Sequence, residues 1–193
     1  MGSRGFVTFV VDGIEKTTYN HCDSYPGGLG VDVLTWLRLA TAGSGDAEAI
    51  SSLRESVRAL RVVDDKSAPT EEDVKRLAEF ADLRVSDRDP RDWYVLLRET
   101  QGDPGRMLQA GAILDASDFP ADSLFAEWGY VIDLDAGAFE AYEGFQKVPH
   151  TRGRFASRND SGDYYPVALA ASWPLGDLPS NDAFSSALEG DEE

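Results

Sequence analysis

The alternation of apolar and polar residues divides the chain into a β-rich start, a helical middle and a β-rich end. Residues 6–11, Phe-Val-Thr-Phe-Val-Val, are apolar on nearly both faces of an extended chain, the pattern of a strand covered on each side. Asp12-Gly13 closes that run, and Ile14, Thr17, Thr18 and Tyr19 follow. Asp-Gly between two such runs predicts a β-hairpin, because a type I′ turn needs positive φ at both central residues.

After Pro26, Gly27, Gly28 and Gly30 the period lengthens. Val31, Val33, Leu34, Trp36 and Leu37 make a broad helical stripe, with Gly43-Ser44-Gly45 as its expected stop. Asp46 caps a second expected helix, whose stripe is Ile50, Leu53, Val57 and Leu60. Residues 64–69 read as a polar loop. Thr70 to Asp73 is a capping-box pattern that opens a third helix with Val74, Leu77, Phe80 and Ala81. Asp89-Pro90 opens a fourth helical segment carrying Trp93, Leu96 and Leu97, which stops near Gly102-Asp103-Pro104-Gly105. Residues 107–114 fit either period and are read as helix or irregular, and Phe119-Pro120-Ala121-Asp122 as a loop leading to one helical turn.

Strand composition returns at residues 128–134. Asp135-Ala136-Gly137 and residues 138–142 complete a second hairpin. Residues 151–163, rich in Arg, Ser, Asn and Gly, are expected to form an exposed, mobile loop. Residues 164–172 read as a last strand with Val167 and Leu169 inward, ended by Trp173-Pro174, and residues 179–188 as a short helix. Strands and helices segregated in sequence predict an α+β fold. The expected organisation is a single domain over 1–188, an antiparallel sheet from the two hairpins and the last strand packed on the helical section, followed by an acidic flexible tail at 189–193.

Composition narrows the function classes. The 193 residues are 42% hydrophobic, which suits a packed domain, and carry a formal net charge of -17. That charge argues against direct nucleic-acid binding, which needs clustered Lys and Arg to release counterions. It suits a well-solvated surface or, as a sharper alternative, an acidic mimic of nucleic acid. A lone cysteine cannot close an internal disulfide, no apolar run reaches the length of a membrane span, and the start lacks a signal peptide's apolar region. These features predict a cytoplasmic protein with no membrane partner, and they give no indication of oligomeric state.

Candidate chemistry concentrates in residues 19–30, Tyr-Asn-His-Cys-Asp-Ser-Tyr-Pro-Gly-Gly-Leu-Gly, expected to run from the second strand into the first helix. Here His21, Cys22 and Asp23 are the candidate catalytic residues. Arg4, Asp23, Tyr25, Gly28 and Gly30 are the candidate ligand-binding set. Cys22 could act as a nucleophile with a histidine base, although adjacent His21 points to the opposite face of an extended chain, which leaves His150. The structural alternative is a small buried thiol. A metal site from His21, Asp23 and His150 lacks a recognised ligand spacing, so no metal is assigned. The glycines match neither a P-loop nor a dinucleotide fingerprint, so no cofactor is assigned and turn geometry is the expected reason for them. At least one of Gly27, Gly28 and Gly30 is expected at positive φ, Asp23 is expected to accept loop N–H groups, and Arg4 is expected to pair with Asp23. Carboxylates at Asp133, Asp135 and Glu140 are too ordinary in so acidic a chain to argue for glycoside chemistry. Aromatics at Trp128, Tyr130, Tyr142, Phe145, Tyr164, Tyr165 and Trp173 fill a core or, where exposed, make a binding surface.

The opening Met-Gly-Ser-Arg-Gly and the segment Asp23-Ser24-Tyr25-Pro26-Gly27-Gly28-Leu29-Gly30 resemble uncharacterised bacterial and phage proteins. Those proteins begin Met-Gly-x-Arg-Gly and carry Asp-x-Tyr-Pro-x-Gly-x-Gly at about this distance. The resemblance covers roughly the first forty residues and implies a phage or actinobacterial origin, with Arg4, Asp23, Tyr25 and the glycines acting as one constellation. A hairpin close to the N-terminus is also superficially similar to N-terminal-nucleophile hydrolases, but Gly2 offers no nucleophile. The leading expectation is a binding or regulatory protein that engages a host protein or a small ligand. A hydrolase or transferase built on the 19–30 loop is the alternative, and an acidic nucleic-acid mimic is the third reading.

Overall fold

The computed structural model describes residues 2–42, 46–85, 89–158 and 162–189. The first hairpin forms as expected: β1 (Gly5–Val11) pairs antiparallel with β2 (Ile14–Asn20), and both turn residues, Asp12 and Gly13, have positive φ. A wide helical turn, Pro26–Gly30, leads straight into α1 (Val31–Ala40), whose Val33, Leu34 and Leu37 are buried. The expected stop at 43–45 lies outside the described residues. Next comes α2 (Ala47–Ala59), capped by the Asp46 carboxylate, which accepts the N–H groups of Glu48 and Ala49.

Beyond α2 the chain forms a pair of strands that periodicity does not reveal. A short strand, β3 (Arg61–Val63), pairs in parallel with β4 (Ala112–Leu114). Three-residue strands are too short to show a period of two, and residues 107–114 are in fact shared between helix and strand. Between them lie α3 (Glu71–Arg76) with its Thr70–Asp73 capping box, α4 (Trp93–Leu96) and α5 (Pro104–Ala110). Asp92 rather than Pro90 starts α4, and α5 ends on Gly111 in the left-handed region. Val63, Leu77, Phe80, Trp93 and Leu96 form a separate small core under this pair of strands.

The second hairpin is β5 (Trp128–Asp133) and β6 (Ala138–Glu143), turning through Gly137 at φ 66°. The last strand, β7 (Ala168–Pro174), starts later than expected and runs through Trp173-Pro174, before α6 (Asn181–Glu189). Among the described residues the main sheet has five strands in the order β2-β1-β5-β6-β7. This is an α+β architecture with a mostly antiparallel sheet. One feature differs from expectation, since β1 and β5 are parallel neighbours at the centre. Each is the more fully buried arm of its hairpin, so pairing the two covers both while leaving β2 and β7 at the edges. Strand direction is not readable from local pattern, because it depends on how the helical section returns the chain.

Both faces of the sheet are covered. Val7, Phe9, Val11, Tyr130, Ile132 and Phe139 meet α1, α2, α5 and α6 on one side. Phe6, Val10, Val131 and Tyr142 meet Ala126, Phe155 and Val167 on the other. Phe155 lies inside the stretch expected to be an exposed, mobile loop, which is therefore corrected up to residue 158. Its arginines suggested solvent, but Arg154 reaches Asp133, Glu140 and Glu15, and Arg158 also binds Glu15. Arg154 Nε lies 3.0 Å from Glu140 Oε2, while its backbone N–H donates to the Tyr142 hydroxyl at 3.3 Å. Paired arginines of this kind fasten a segment to a sheet instead of leaving it in water.

Phe6 stands directly beside Gly129 in the β1–β5 ladder, and a Cβ on Gly129 would sit 2.0 Å from the Phe6 ring. That ring cannot retreat, because the edges of Phe155 and Phe119 pack against it at 5.5 and 6.5 Å. Gly129→Ala should therefore destabilise the fold by about 1–3 kcal/mol through overpacking. In denaturant melts the double variant with Phe6→Leu should recover part of that loss, and simple additivity of the two single losses would contradict the packing described.

Candidate functional site

The register of the sheet puts the start of β1 and β5 beside the end of β2 and β6, so one end of the sheet carries residues 2–4, 20–30, 122–128 and 143–148. The 20–30 loop is held there by its backbone and by three buried polar side chains. Asn20 Nδ2 donates to the Cys22 carbonyl at 2.6 Å and to Ser24 Oγ at 2.9 Å, and the Tyr130 hydroxyl donates to the Ser24 carbonyl at 2.9 Å. The N-terminus adds a further tie, since Ser24 N–H donates to the Ser3 carbonyl and Tyr25 N–H to Ser3 Oγ at 3.1 Å. The roles of Asn20 and Ser24 escape sequence reasoning because ordinary polar residues show no pattern until the fold buries them, and Tyr130 is legible as an aromatic but not as the donor to this loop.

Several expectations for this loop are corrected. None of Gly27, Gly28 and Gly30 has positive φ; the chain reverses instead at Asp23, φ 56°. The Pro26–Gly30 turn is helical apart from Gly28, so the left-handed residue is needed only before it. The glycines answer to close approach: a Cβ on Gly28 would lie 2.4 Å from the Asp23 carbonyl, and one on Gly30 would lie 2.8 Å from Tyr130 and Phe184. The Asp23 carbonyl, not its carboxylate, accepts the Leu29 N–H at 2.8 Å. Arg4 does not pair with Asp23 either. Its guanidinium stacks over Phe125 at 5.3 Å, while its N–H donates to the Glu127 carboxylate at 3.1 Å.

No hydrogen bond or ion pair joins the side chains of His21, Cys22 and Asp23 to one another. Cys22 is exposed, contrary to the buried-thiol expectation, because it lies at the loop surface against Gly2. His21 Nδ1 is hydrogen bonded to the Tyr19 hydroxyl at 2.9 Å. His150 is committed elsewhere: its Nδ1 accepts the Arg152 N–H at 3.2 Å and its Nε2 donates to the Pro166 carbonyl at 2.8 Å. Among the described residues, no three His, Cys, Asp or Glu side chains lie close enough to share a metal ion. The principal concavities have other linings, such as one of about 580 Å³ bounded by Tyr19, Phe119 and Asp118.

Exposed apolar side chains do gather at this end. Phe125 is 45% and Phe145 53% exposed, with Leu124 and Val148 also in solvent and Tyr25 on the neighbouring loop. Phe145 has φ 55°, a left-handed conformation that an aromatic residue holds only when its surroundings enforce it. The enforcement is visible: Phe145 N–H donates to the Ser123 carbonyl at 2.7 Å, Gln146 N–H to Ser123 Oγ at 3.0 Å, and Gly144 N–H to the Glu127 carbonyl at 2.8 Å. A Cβ on Gly144 would lie 2.3 Å from the Ala126 carbonyl, so the two segments meet backbone to backbone. Leu124, Phe125 and Tyr164 also line a concavity of about 280 Å³ with Asp122 and Asp163. Of the aromatics singled out in the sequence, Tyr130 and Tyr142 are core, and Phe145 is the exposed one. Leu124 and Phe125 escape notice in the sequence, since an apolar pair in a loop has no period to reveal it.

Comparison with protein-family models, with curated proteins and with solved structures finds no match. Among the described residues no helix is long and apolar enough to cross a membrane.

His21 supplies a direct check on the electrostatics of this end. Partial burial, then the charges of Arg98 and Arg4, push its imidazole below the ordinary histidine value of about 6.5. The neutral ring is the form that the fold favours, so this contribution to stability is complete above the ordinary value and is lost as pH falls below it. An NMR titration should place His21 below 6.5, and Arg98→Gln should move it back upward. A His21 that titrates at or above the ordinary value would contradict this placement.

Proposed function

We propose that this chain is a binding protein that engages a protein partner through the aromatic rim formed by Phe125, Phe145, Leu124 and Val148, with Tyr25 on the adjoining loop. The observation that carries the reading is Phe145, held outward in a left-handed conformation by hydrogen bonds from both sides. Strain of this kind costs stability, and an exposed apolar side chain gains nothing from it in the isolated fold. A partner that buries the ring supplies the missing gain. The formal charge of -17, with Asp122 and Asp163 beside the rim, favours a partner segment that brings apolar anchors flanked by basic residues.

In this reading the chain acts in the cytoplasm, where an exposed unpaired Cys22 thiol is stable. A phage origin with a host protein as the partner rests on the resemblance of the first forty residues. The hydrolase or transferase alternative has an exposed thiol in its favour but no base within a described hydrogen bond of it. The nucleic-acid mimic has less support, since Asp12, Asp73, Asp82, Asp133 and Asp135 are each engaged by an arginine.

Immobilised wild-type chain should retain a basic protein from a bacterial lysate in a salt-sensitive manner. The Phe125→Asp and Phe145→Asp double variant, which changes exposed positions only, should lose it while melting at or above the wild-type temperature. Retention by the folded double variant would overturn the reading. So would turnover of any screened compound that is abolished by Cys22→Ala.

A further inference from the structure

Beside the rim, the segments of residues 119–126 and 163–167 meet at the concavity of about 280 Å³ lined by Leu124, Phe125 and Tyr164 with Asp122 and Asp163. Its size is just under the roughly 300 Å³ at which small-molecule sites begin, so it suits a single side chain better than a whole ligand. Both walls are held by the backbone. The Asp122 carbonyl accepts the N–H groups of Phe125 at 3.1 Å and Ala126 at 2.8 Å, and Asp122 N–H donates to the Phe119 carbonyl at 3.0 Å. On the other side Tyr165 N–H donates to the Gln146 carbonyl at 2.8 Å and Val167 N–H to the Pro120 carbonyl at 3.0 Å. The concavity is thus formed before anything enters it, which spares an incoming group the cost of ordering it.

The chemistry of the lining is that of a cation site. Two aromatic rings and two carboxylates share the wall, and no lysine or arginine lines it. Among the described residues the carboxylates of Asp122 and Asp163 have neither an ion pair nor a hydrogen bond, whereas those of Asp12, Asp73 and Asp133 are each engaged by an arginine. Both rings attract cations of the chain itself: the Arg4 guanidinium lies 5.3 Å from the centre of Phe125 and the Lys147 ammonium 5.9 Å from that of Tyr164. Neither of those cations lines the concavity or pairs with its carboxylates. The two negative charges of the lining are therefore unpaired, in a chain whose formal net charge is -17.

We infer, on the reading of the rim as a partner surface, that this concavity receives an arginine side chain of the protein partner, its guanidinium stacked on an aromatic ring of the wall and hydrogen bonded to Asp122 and Asp163. A guanidinium is planar, stacks on aromatic faces and carries five N–H donors in a fork, so it can use a ring and both carboxylates at once. A lysine ammonium is a compact, more strongly hydrated point charge and lacks the plane.

An NMR titration of the full ¹⁵N-labelled chain reads this without a partner protein. The probe is N-acetyl-arginine methylamide, compared at constant ionic strength with its neutral isostere N-acetyl-citrulline methylamide and with N-acetyl-lysine methylamide. The arginine probe should give saturable shifts in the amides of residues 122–125 and 162–164, the citrulline probe none there, and the lysine probe should bind more weakly than arginine. Asp122→Asn with Asp163→Asn keeps the shape of both side chains and should weaken arginine binding about tenfold or more, while unchanged amide shifts away from the concavity show the fold intact. The inference is overturned if the arginine probe gives no saturable shift at these amides, if citrulline or lysine binds as tightly, or if the double variant binds as wild type. Because the titration involves no partner, such a result leaves the rim reading to the lysate experiment, where the Phe125 and Phe145 variant decides it.

Discussion

The pairing of β1 with β5 is the constraint on which the other features depend. Every residue of β1 and five of the six in β5 are buried, so the centre of the sheet needs cover on both faces. Helices α1, α2, α5 and α6 provide one cover. The segments around Phe119, Ala126, Phe155 and Val167 provide the other, with little regular structure of their own, and so depend on Arg154 and Arg158 to hold them to Glu15, Asp133 and Glu140. Parallel pairing also sets both hairpin turns at the same end, where the Asp135 carboxylate accepts the N–H groups of Asp12 and Gly13 at 3.0 and 2.7 Å.

The two ends of the sheet are consequently unlike. At the turn end Arg54 and Arg58 of α2 close over Asp12 and Asp135, while buried Lys16 donates to the carbonyls of Val57, Arg58 and Leu60 at the end of that helix. Those groups satisfy one another, and the cation on the helix C-terminus is electrostatically favourable. At the opposite end the backbone is just as firmly tied, through Ser3, Asn20, Ser24 and Ser123, but the side chains projecting from it are Tyr25, Phe125 and Phe145. A rigid scaffold that presents unsatisfied apolar groups is the arrangement expected of a recognition surface.

Whatever depends on short-range pattern is legible in the sequence. Both hairpins, the Asp46 cap, the Thr70 capping box and the glycine at position 137 can be read there because each is fixed within a few residues. The parallel seam, the β3–β4 pair and the burial of Phe155 cannot, because they arise from contacts between residues a hundred or so positions apart, or from strands too short to show a period. The end of the sheet that carries residues 19–30 divides in the same way. That residues 19–30 run from β2 into α1 is legible, but the turn is made differently from the expected way: Asp23 holds the positive φ expected of the glycines, and Arg4 stacks on Phe125 where a carboxylate partner was expected. Leu124 and Phe125 have no local signature. Their segment meets that of Phe145 through backbone bonds from residues 144 and 145 to Glu127 and Ser123.

The parallel seam is most directly tested by residue-resolved amide hydrogen exchange. If β1 and β5 form one central unit, the amides of residues 6–10 and 129–133 should exchange together and most slowly, through global unfolding alone. Edge strand β7 should exchange sooner by local opening. Exchange of residues 129–133 at a distinctly lower free energy than residues 6–10 would mean that the second hairpin opens on its own, and it would contradict the account.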